Sequence, residues 1–249
     1  MPYVELMPSA ALRPWVECFW TRSDDAPSGQ HRVLPDGCAD LVFDLSAGES
    51  AAVGTMTKPL LLPPSGSYEF LGVRFRPGRA AAFLRMPLAQ ITDARVPLGD
   101  IWKDWRSDTI WSGGLLARRT RRAESPSLQM VAMLEAELLR RLDPDRDRRV
   151  DEAVARIVAS GGTLRIEPLA REIGISRQHL ARQFLHHVGV SPKTFARVMR
   201  FRRVADMQRV DRDWADVAIT NGFYDQSHLI AEFRELAGTT PDAFHFSNR

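Results

Sequence analysis

The stretch Leu169–Phe184, LAREIGISRQHLARQF, together with its echo 48 residues later, constrains this chain more than any other feature. Leu169, Ala170 and Ile173 stand three to four residues apart, on one face of a 3.6-residue helix. Gly174 then occupies the place where a left-handed residue ends a helix at little steric cost. Ser176 can cap a second helix with its hydroxyl. On that helix Leu180 and Phe184 face inward, while Arg177, Gln178, His179, Arg182 and Gln183 face out. The pattern then returns. Ala170, Gly174 and Ile175 recur as Ala218, Gly222 and Phe223, and Leu180 and Phe184 recur as Leu229 and Phe233, 49 residues later. The second copy therefore holds one extra residue in its turn. There Asp225 takes the capping place, and Gln226, Ser227 and His228 follow at the outward N-terminal end. A single polar-faced helical hairpin is an ordinary surface feature, but a repeated one is specific.

An outward face of Arg and Gln suits the major groove, where Arg clasps guanine and Gln clasps adenine by paired hydrogen bonds. The tandem unit resembles the DNA-binding domain of the AraC/XylS family of transcription regulators. The resemblance runs from about Val150 to Phe246 and is carried by AREIGISRQHLARQF, SPKTFARVMRFRRVA, GFYDQSHLIAEF and GTTPDAF. It implies an all-α domain in which a long helix joins two helix-turn-helix units, and a sequence-specific regulator whose partner is double-stranded DNA. Gln178 and Arg182, one helical turn apart, match the family's base-contacting positions. Arg177 and His179 are expected to meet phosphates, and Ser176, Lys193 and Arg200 can do the same, fixing register without reading sequence. For His179 and His228 the competing reading is a solvated helix residue. The second unit departs from the family pattern: where a basic residue is common one turn into the recognition helix, this chain has Ala231 beside Glu232. A carboxylate near phosphates is repelled, so Gln226, Ser227 and His228 are expected to give less base specificity than the first unit.

The connecting helix should start at Ser191-Pro192, an N-cap and a first-turn proline, and run to about Arg209. Phe195, Val198, Met199, Val204 and Met207 form its inner side. At about 17 residues it would span roughly 26 Å, against a DNA repeat of about 34 Å. Asp213 and Asp216 start the next helix, where acids suit the dipole.

Ahead of this region the signals are different. Val16–Arg22, His31–Pro35, Ala39–Leu45, Ala51–Gly54 and Glu69–Phe75 are short and rich in β-branched or aromatic residues, and turn-formers such as Asp25–Gly29 and Pro63–Gly66 separate them. They predict an N-terminal antiparallel β-sandwich or barrel-like domain with flanking helices at Arg79–Met86 and Leu98–Trp105. The fold class is therefore α+β, with a β-rich effector or oligomerisation domain over 1–110. A helical segment and linker follow over 111–149, and the DNA-binding domain occupies 150–249. LPDGCADLVF and VRFRPGRAAAFL are also similar to the N-terminal regions of one subset of AraC-type regulators. In the segment between, Leu128, Val131, Leu134, Leu138 and Leu142 make one helical stripe. The stripe either packs on its own domain or pairs two copies into a homodimer. Asp143–Arg149, polar and holding Pro144, is the expected linker.

Composition narrows the function classes. The chain has 249 residues, a net charge of +3 and only Cys18 and Cys38 as thiols. Two cysteines match no zinc spacing and are expected to be reduced in a cytoplasmic protein. No apolar run reaches membrane-spanning length, and the N-terminus lacks the pattern of a secretory signal. Metal chemistry on a β-rich domain needs several His converging with a carboxylate, and His31 is the lone histidine of residues 1–149. Cys38 as a reactive thiol has Asp36 and Asp40 beside it, and acids raise a thiol pKa. No enzyme, cofactor or metal is expected. Trp15, Phe19, Trp20 and Phe43 can line an effector pocket or simply fill the core, and Arg32, Arg74 and Arg76 can hold an anionic effector. A small-molecule effector, a second copy of the chain and RNA polymerase remain candidate partners beside DNA. The rival reading is a DNA-binding protein whose N-terminal domain only dimerises.

Overall fold

The computed structural model describes residues 3–24, 31–62, 68–106, 126–143, 147–207 and 213–247. The expected turns near 25–29 and 63–66, all of 111–125, residues 144–146 of the expected linker and the expected helix end near 209 lie outside them. Among the described residues eight strands occur: β1 (Val4–Leu6), β2 (Val16–Asp24), β3 (His31–Val33), β4 (Asp40–Asp44), β5 (Glu49–Val53), β6 (Leu60–Leu62), β7 (Tyr68–Phe75) and β8 (Arg95–Pro97). Six of them form an antiparallel sheet in the order β1-β2-β7-β4-β5-β8, and β3 pairs with β6 in a separate ribbon. Side chains alternate across a strand, so Leu41 and Phe43 of β4 share a fully buried face with Leu71, Val73 and Phe75 of β7 and Phe19 of β2. Leu41 stands opposite Val73, and Phe43 opposite Leu71. A one-residue slip would turn this whole set to solvent, which fixes the register.

The flanking helices are α1 (Ala81–Leu84), α2 (Leu98–Ile101) and α3 (Pro126–Arg141). The first is shorter than the Arg79–Met86 expected, because Arg85 turns left-handed with φ 54° and its N–H closes onto Ala81 O. The second stops before Trp105 because Trp102 turns inward, where its Nε1 donates to the Phe83 carbonyl at 3.1 Å. Val131, Leu134 and Leu138 of α3 bury against the sheet's core with Met130, which the stripe had left out. Leu128 stays exposed. From Val131 to Leu138 the stripe is thus covered within the chain.

Next to this core lies an ionic cluster. Arg74 Nε stands 3.5 Å from both Asp36 and Asp40, and Trp20 Nε1 donates to Asp40 at 3.0 Å. Burial pushes the Asp40 carboxyl up to about 7, against the pull of Arg74 and with the help of the Asp36 charge. An acid that holds its proton more tightly when folded contributes stability below about pH 4 and loses it as pH rises through about 7. Replacing Asp40 with Asn keeps an acceptor for Trp20 and removes the titration. Between pH 5 and pH 8, wild type should lose on the order of 2 kcal/mol more than D40N, measured by chemical denaturation. Equal pH dependence in the two proteins would contradict the assignment. Burial likewise pushes Cys18 up to about 12 and Cys38 well above its ordinary value, so neither thiol has the ionised character of a nucleophile.

The C-terminal part is all helix: α4 (Arg148–Ala159), α5 (Ile166–Glu172), α6 (Arg177–His187), α7 (Pro192–Ala205), α8 (Trp214–Thr220), α9 (Gln226–Ala237) and α10 (Pro241–Ser247). It holds two apolar clusters. Phe195 and Ala196 of α7 complete the first with Val150, Ile157, Leu169, Leu180 and Phe184. Val198, Phe201 and Val204 of the same helix complete the second with Ala218, Leu229, Phe233 and Phe244. One helix is therefore the shared beam of both units, and Phe201, absent from the expected inner side, is central to it. The beam has 14 residues, about 21 Å of helix, rather than 17. It ends at Ala205, where Asp206 N–H bonds Arg202 O, and the chain turns so that Met207 packs on the second cluster.

The two parts of the chain touch. Thr55 Oγ1 donates to Val188 O at 2.5 Å, and Thr92 Oγ1 to Gly189 O at 2.6 Å, both just past the end of α6. Arg79 pairs with Asp151 of α4 at 2.5 Å. Gly37 lies so near α7 that a Cβ there would sit 2.6 Å from the Phe195 ring, at a φ of +80° that disfavours any side chain.

Candidate nucleic-acid interface

In the first unit Ile173 caps the end of α5, Gly174 takes φ +75°, and Ile175 N–H reaches back to Ala170 O at 3.0 Å. Ser176 caps α6 by accepting from His179 N–H at 3.1 Å. In the second unit Gly222 takes φ +77°, Phe223 N–H reaches Ala218 O at 2.9 Å, and Asp225 caps α9 by accepting from His228 N–H at 2.7 Å. The same hydrogen bonds close both turns, so the duplication read in the residues is a duplication of geometry.

Leu180 and Phe184 are fully buried, which fixes the direction of the rest of α6. Gln178 and Arg182 stand opposite them and are exposed. Arg182 Nη2 lies 3.2 Å from His179 Nδ1. His179 is half-buried, with its Nε2 3.9 Å from Asp147, the residue that caps α4. His179 therefore sits beside the exposed strip, in contact with Arg182. Gln183 is half-buried on the same flank.

Arg177 lies on the other flank. It lines a groove of about 720 Å³ with Lys193 and Arg200, and Arg165 and Arg171 stand on the same walls. The last two were missed at the level of sequence, although both bracket the first helix of the unit, which crosses the DNA backbone in helix-turn-helix proteins. Arg200 is tied inward as well: its Nη1 donates to Gly222 O at 3.0 Å, and the guanidinium lies 5.4 Å from the Phe223 ring centre. It joins the beam to the second unit's turn.

In α9, Ser227 and Ala231 occupy the places of Gln178 and Arg182, and both are exposed, as is Gln226. Arg234, one further turn along the same strip, is also exposed and was not anticipated. Glu232 corrects the expectation drawn for it. It does not face outward: it is 8% exposed and accepts from Arg197 Nε at 2.9 and 3.0 Å, while His228 Nε2 stands 3.3 Å away. The helical period puts it on the inner flank beside Phe233. Arg197 continues to Glu235 at 2.6 Å, so it is held by the fold.

Two capped recognition helices on one shared beam are the architecture of a DNA-binding domain. Residues 169–245 match the family described as a helix-turn-helix domain, and residues 4–97 match a domain of unknown function (DUF6597). The C-terminal part is an AraC-type helix-turn-helix domain, the kind of unit with which transcription regulators bind DNA. No curated protein matches the chain. Among solved structures it is similar to an apo variant of ToxT from Vibrio cholerae strain SCE256, at 13% identity over 92% of this chain and 97% of that one, with a TM-score of 0.48. ToxT from Vibrio cholerae O395 is similar at 12% identity over 92% and 97%, TM-score 0.46. Wild-type ToxT from strain SCE256 with bound unsaturated fatty acid is similar at 13% identity over 92% and 95%, TM-score 0.43. Among the described residues no group of three or more His, Cys, Asp or Glu side chains could hold a metal ion, and no helix is long and apolar enough to cross a membrane.

Proposed function

We infer that one chain reads a bipartite, non-palindromic half-site through two successive major-groove segments, with α6 entering one and α9 the other. The observation that carries this reading is the shared beam: α7 belongs to both apolar clusters, so the two recognition helices cannot move independently. About 21 Å of beam is shorter than one DNA repeat of about 34 Å, so bending of the duplex, at a few kcal/mol, is part of the reading. Gln178 and Arg182 read bases in the first segment. Ser176, Arg177, Lys193 and Arg200 hold phosphates. Gln226, Ser227 and His228 serve the second segment, with less base specificity. The reason is now the short side chain of Ala231 alone, because Glu232 is turned inward.

The test is selection of duplexes from a random library by the purified full-length protein, followed by a base-substitution scan of the selected site. Two conserved blocks about one helical turn apart are expected, and the block facing α6 should be the less tolerant of change. A palindromic single block, or a stricter second block, contradicts the reading.

Control by the β-rich part is the second element of the proposal. Thr55 and Thr92 bond the chain just past α6, and Gly37 presses on α7. A small molecule or a second copy of the chain that shifts the sheet would be felt at these contacts. A thermal-shift screen with metabolites separates a sensor from a part that only dimerises, and the sensor reading fails if no compound stabilises the protein. A cytoplasmic location accords with this function.

A further inference from the structure

The two units differ by one inserted residue, and the hydrogen bonds identify it. Ile175 and Phe223 occupy equivalent places, each reaching back to the alanine five residues earlier. Ser176 and Asp225 are equivalent too, each capping the N–H three residues on. In the first unit these two anchors are adjacent. In the second, Tyr224 stands between them.

The backbone of the insertion is held firmly. Tyr224 N–H donates to His228 Nδ1 at 3.2 Å, which puts the imidazole proton on Nε2, toward Glu232 at 3.3 Å. Glu232 is held by Arg197, and the His228 ring packs edge-on to Phe223 with centroids 5.6 Å apart. His228 thus also locks the turn. The side chain it positions is 85% exposed, the most exposed large apolar or aromatic residue described. Its hydroxyl has no hydrogen-bond partner among the described residues. A fixed backbone carrying a free phenol is poorly explained by folding, since nothing inside the fold uses the ring. The residue sits immediately before the cap of α9, at the helix end that favours anions, in the unit that lacks a cation at Ala231.

We propose that Tyr224 is the second unit's anchor on the DNA backbone. Its hydroxyl donates to a phosphodiester oxygen of the strand bordering the groove that α9 enters, and its ring lies against the neighbouring deoxyribose, so that it sets the register of α9. Tyrosine is among the side chains that bind phosphates in this positioning role. Being neutral, it displaces no counterion, so its loss leaves the salt dependence of binding unchanged. The assignment rests on the DNA-reading function above.

The experiment titrates a duplex selected by the full-length wild type, and an unrelated duplex, with wild type, Y224F and Y224A. Y224A should bind both duplexes about tenfold more weakly, and Y224F about threefold, the net worth of a typical hydrogen bond. The slope of log K against log salt and the Tm should stay those of wild type. Unchanged affinity in both variants overturns the assignment. So does a loss confined to one base pair, which would make Tyr224 a base reader. Intact DNA binding with reduced transcription by added RNA polymerase also overturns it, in favour of a protein contact. If wild type selects no duplex, the DNA-reading function itself fails and the assignment with it. Selection by wild type with unaffected Tyr224 variants sinks the assignment alone.

Discussion

Replacing Gln178 and Arg182 together by Ala should weaken binding to the selected duplex by on the order of 2–6 kcal/mol, because each bidentate base contact is worth about 1–3 kcal/mol. Both side chains lie on the exposed strip opposite Leu180 and Phe184, and neither carries any part of the core. The fold should therefore be untouched, with Tm within a degree or two of wild type. Binding to an unrelated duplex should fall much less, since only one cation, Arg182, is lost from a surface that also holds Arg165, Arg171, Arg177 and Lys193. The ratio of specific to non-specific affinity is thus the quantity to measure, at fixed salt. A uniform loss on both duplexes would mean that these residues bind backbone, and that another face of α6 reads the bases. Arg182 also leans on His179, so R182A alone should cost more than Q178A alone.

Arg197→Ala should destabilise the folded protein by on the order of 3 kcal/mol, the range for breaking a buried ion pair by removing one partner. Glu232 is 8% exposed, and without Arg197 it keeps only the His228 imidazole at 3.3 Å. The charge is then stranded against Phe233 and the second apolar cluster. Glu232→Gln, which keeps an acceptor for the guanidinium and removes the charge, should cost markedly less. Urea denaturation of the three proteins compares them directly. A change below about 0.5 kcal/mol in R197A would place the pair among solvent-screened surface bridges. The same substitution should also loosen the Tyr224 turn, since His228 leans on Glu232.

Much of the C-terminal region was legible because its signals are local. Gly174 and Gly222 mark left-handed turn positions, Ser176, Ser191, Asp213 and Asp225 are caps, and each acts within four residues of itself. Five of the eight described strands were legible for the same reason, from alternation and turn residues; the three-residue β1, β6 and β8 are too short to show alternation. The misreadings came where a distant partner decided the outcome. Glu232 looked like a liability at the DNA because its neighbour in sequence, Ala231, faces outward; one residue is 100° of helix, and Arg197, 35 positions away, was waiting on the inner side. His179 likewise stands beside Asp147, 32 positions away, whereas the Glu232 next to His228 lies on its own helix. The connecting helix was read too long because nothing within the helix marks its stop, which is set by Met207 turning onto the second cluster.

The sequence by itself determined that two copies of one capped helical unit exist, where each begins and which side chains form the outward strip of the first. Periodicity, capping and glycine conformation are properties of a few adjacent residues, and they survive without knowledge of the fold. Only the tertiary structure decided that α7 serves both cores, that Thr55 and Thr92 bond the chain just past α6 while Gly37 presses on α7, and which charged side chains are tied inward. Those outcomes depend on residues dozens of positions apart meeting in space, where burial turns a nominal surface charge such as Glu232 into part of the frame.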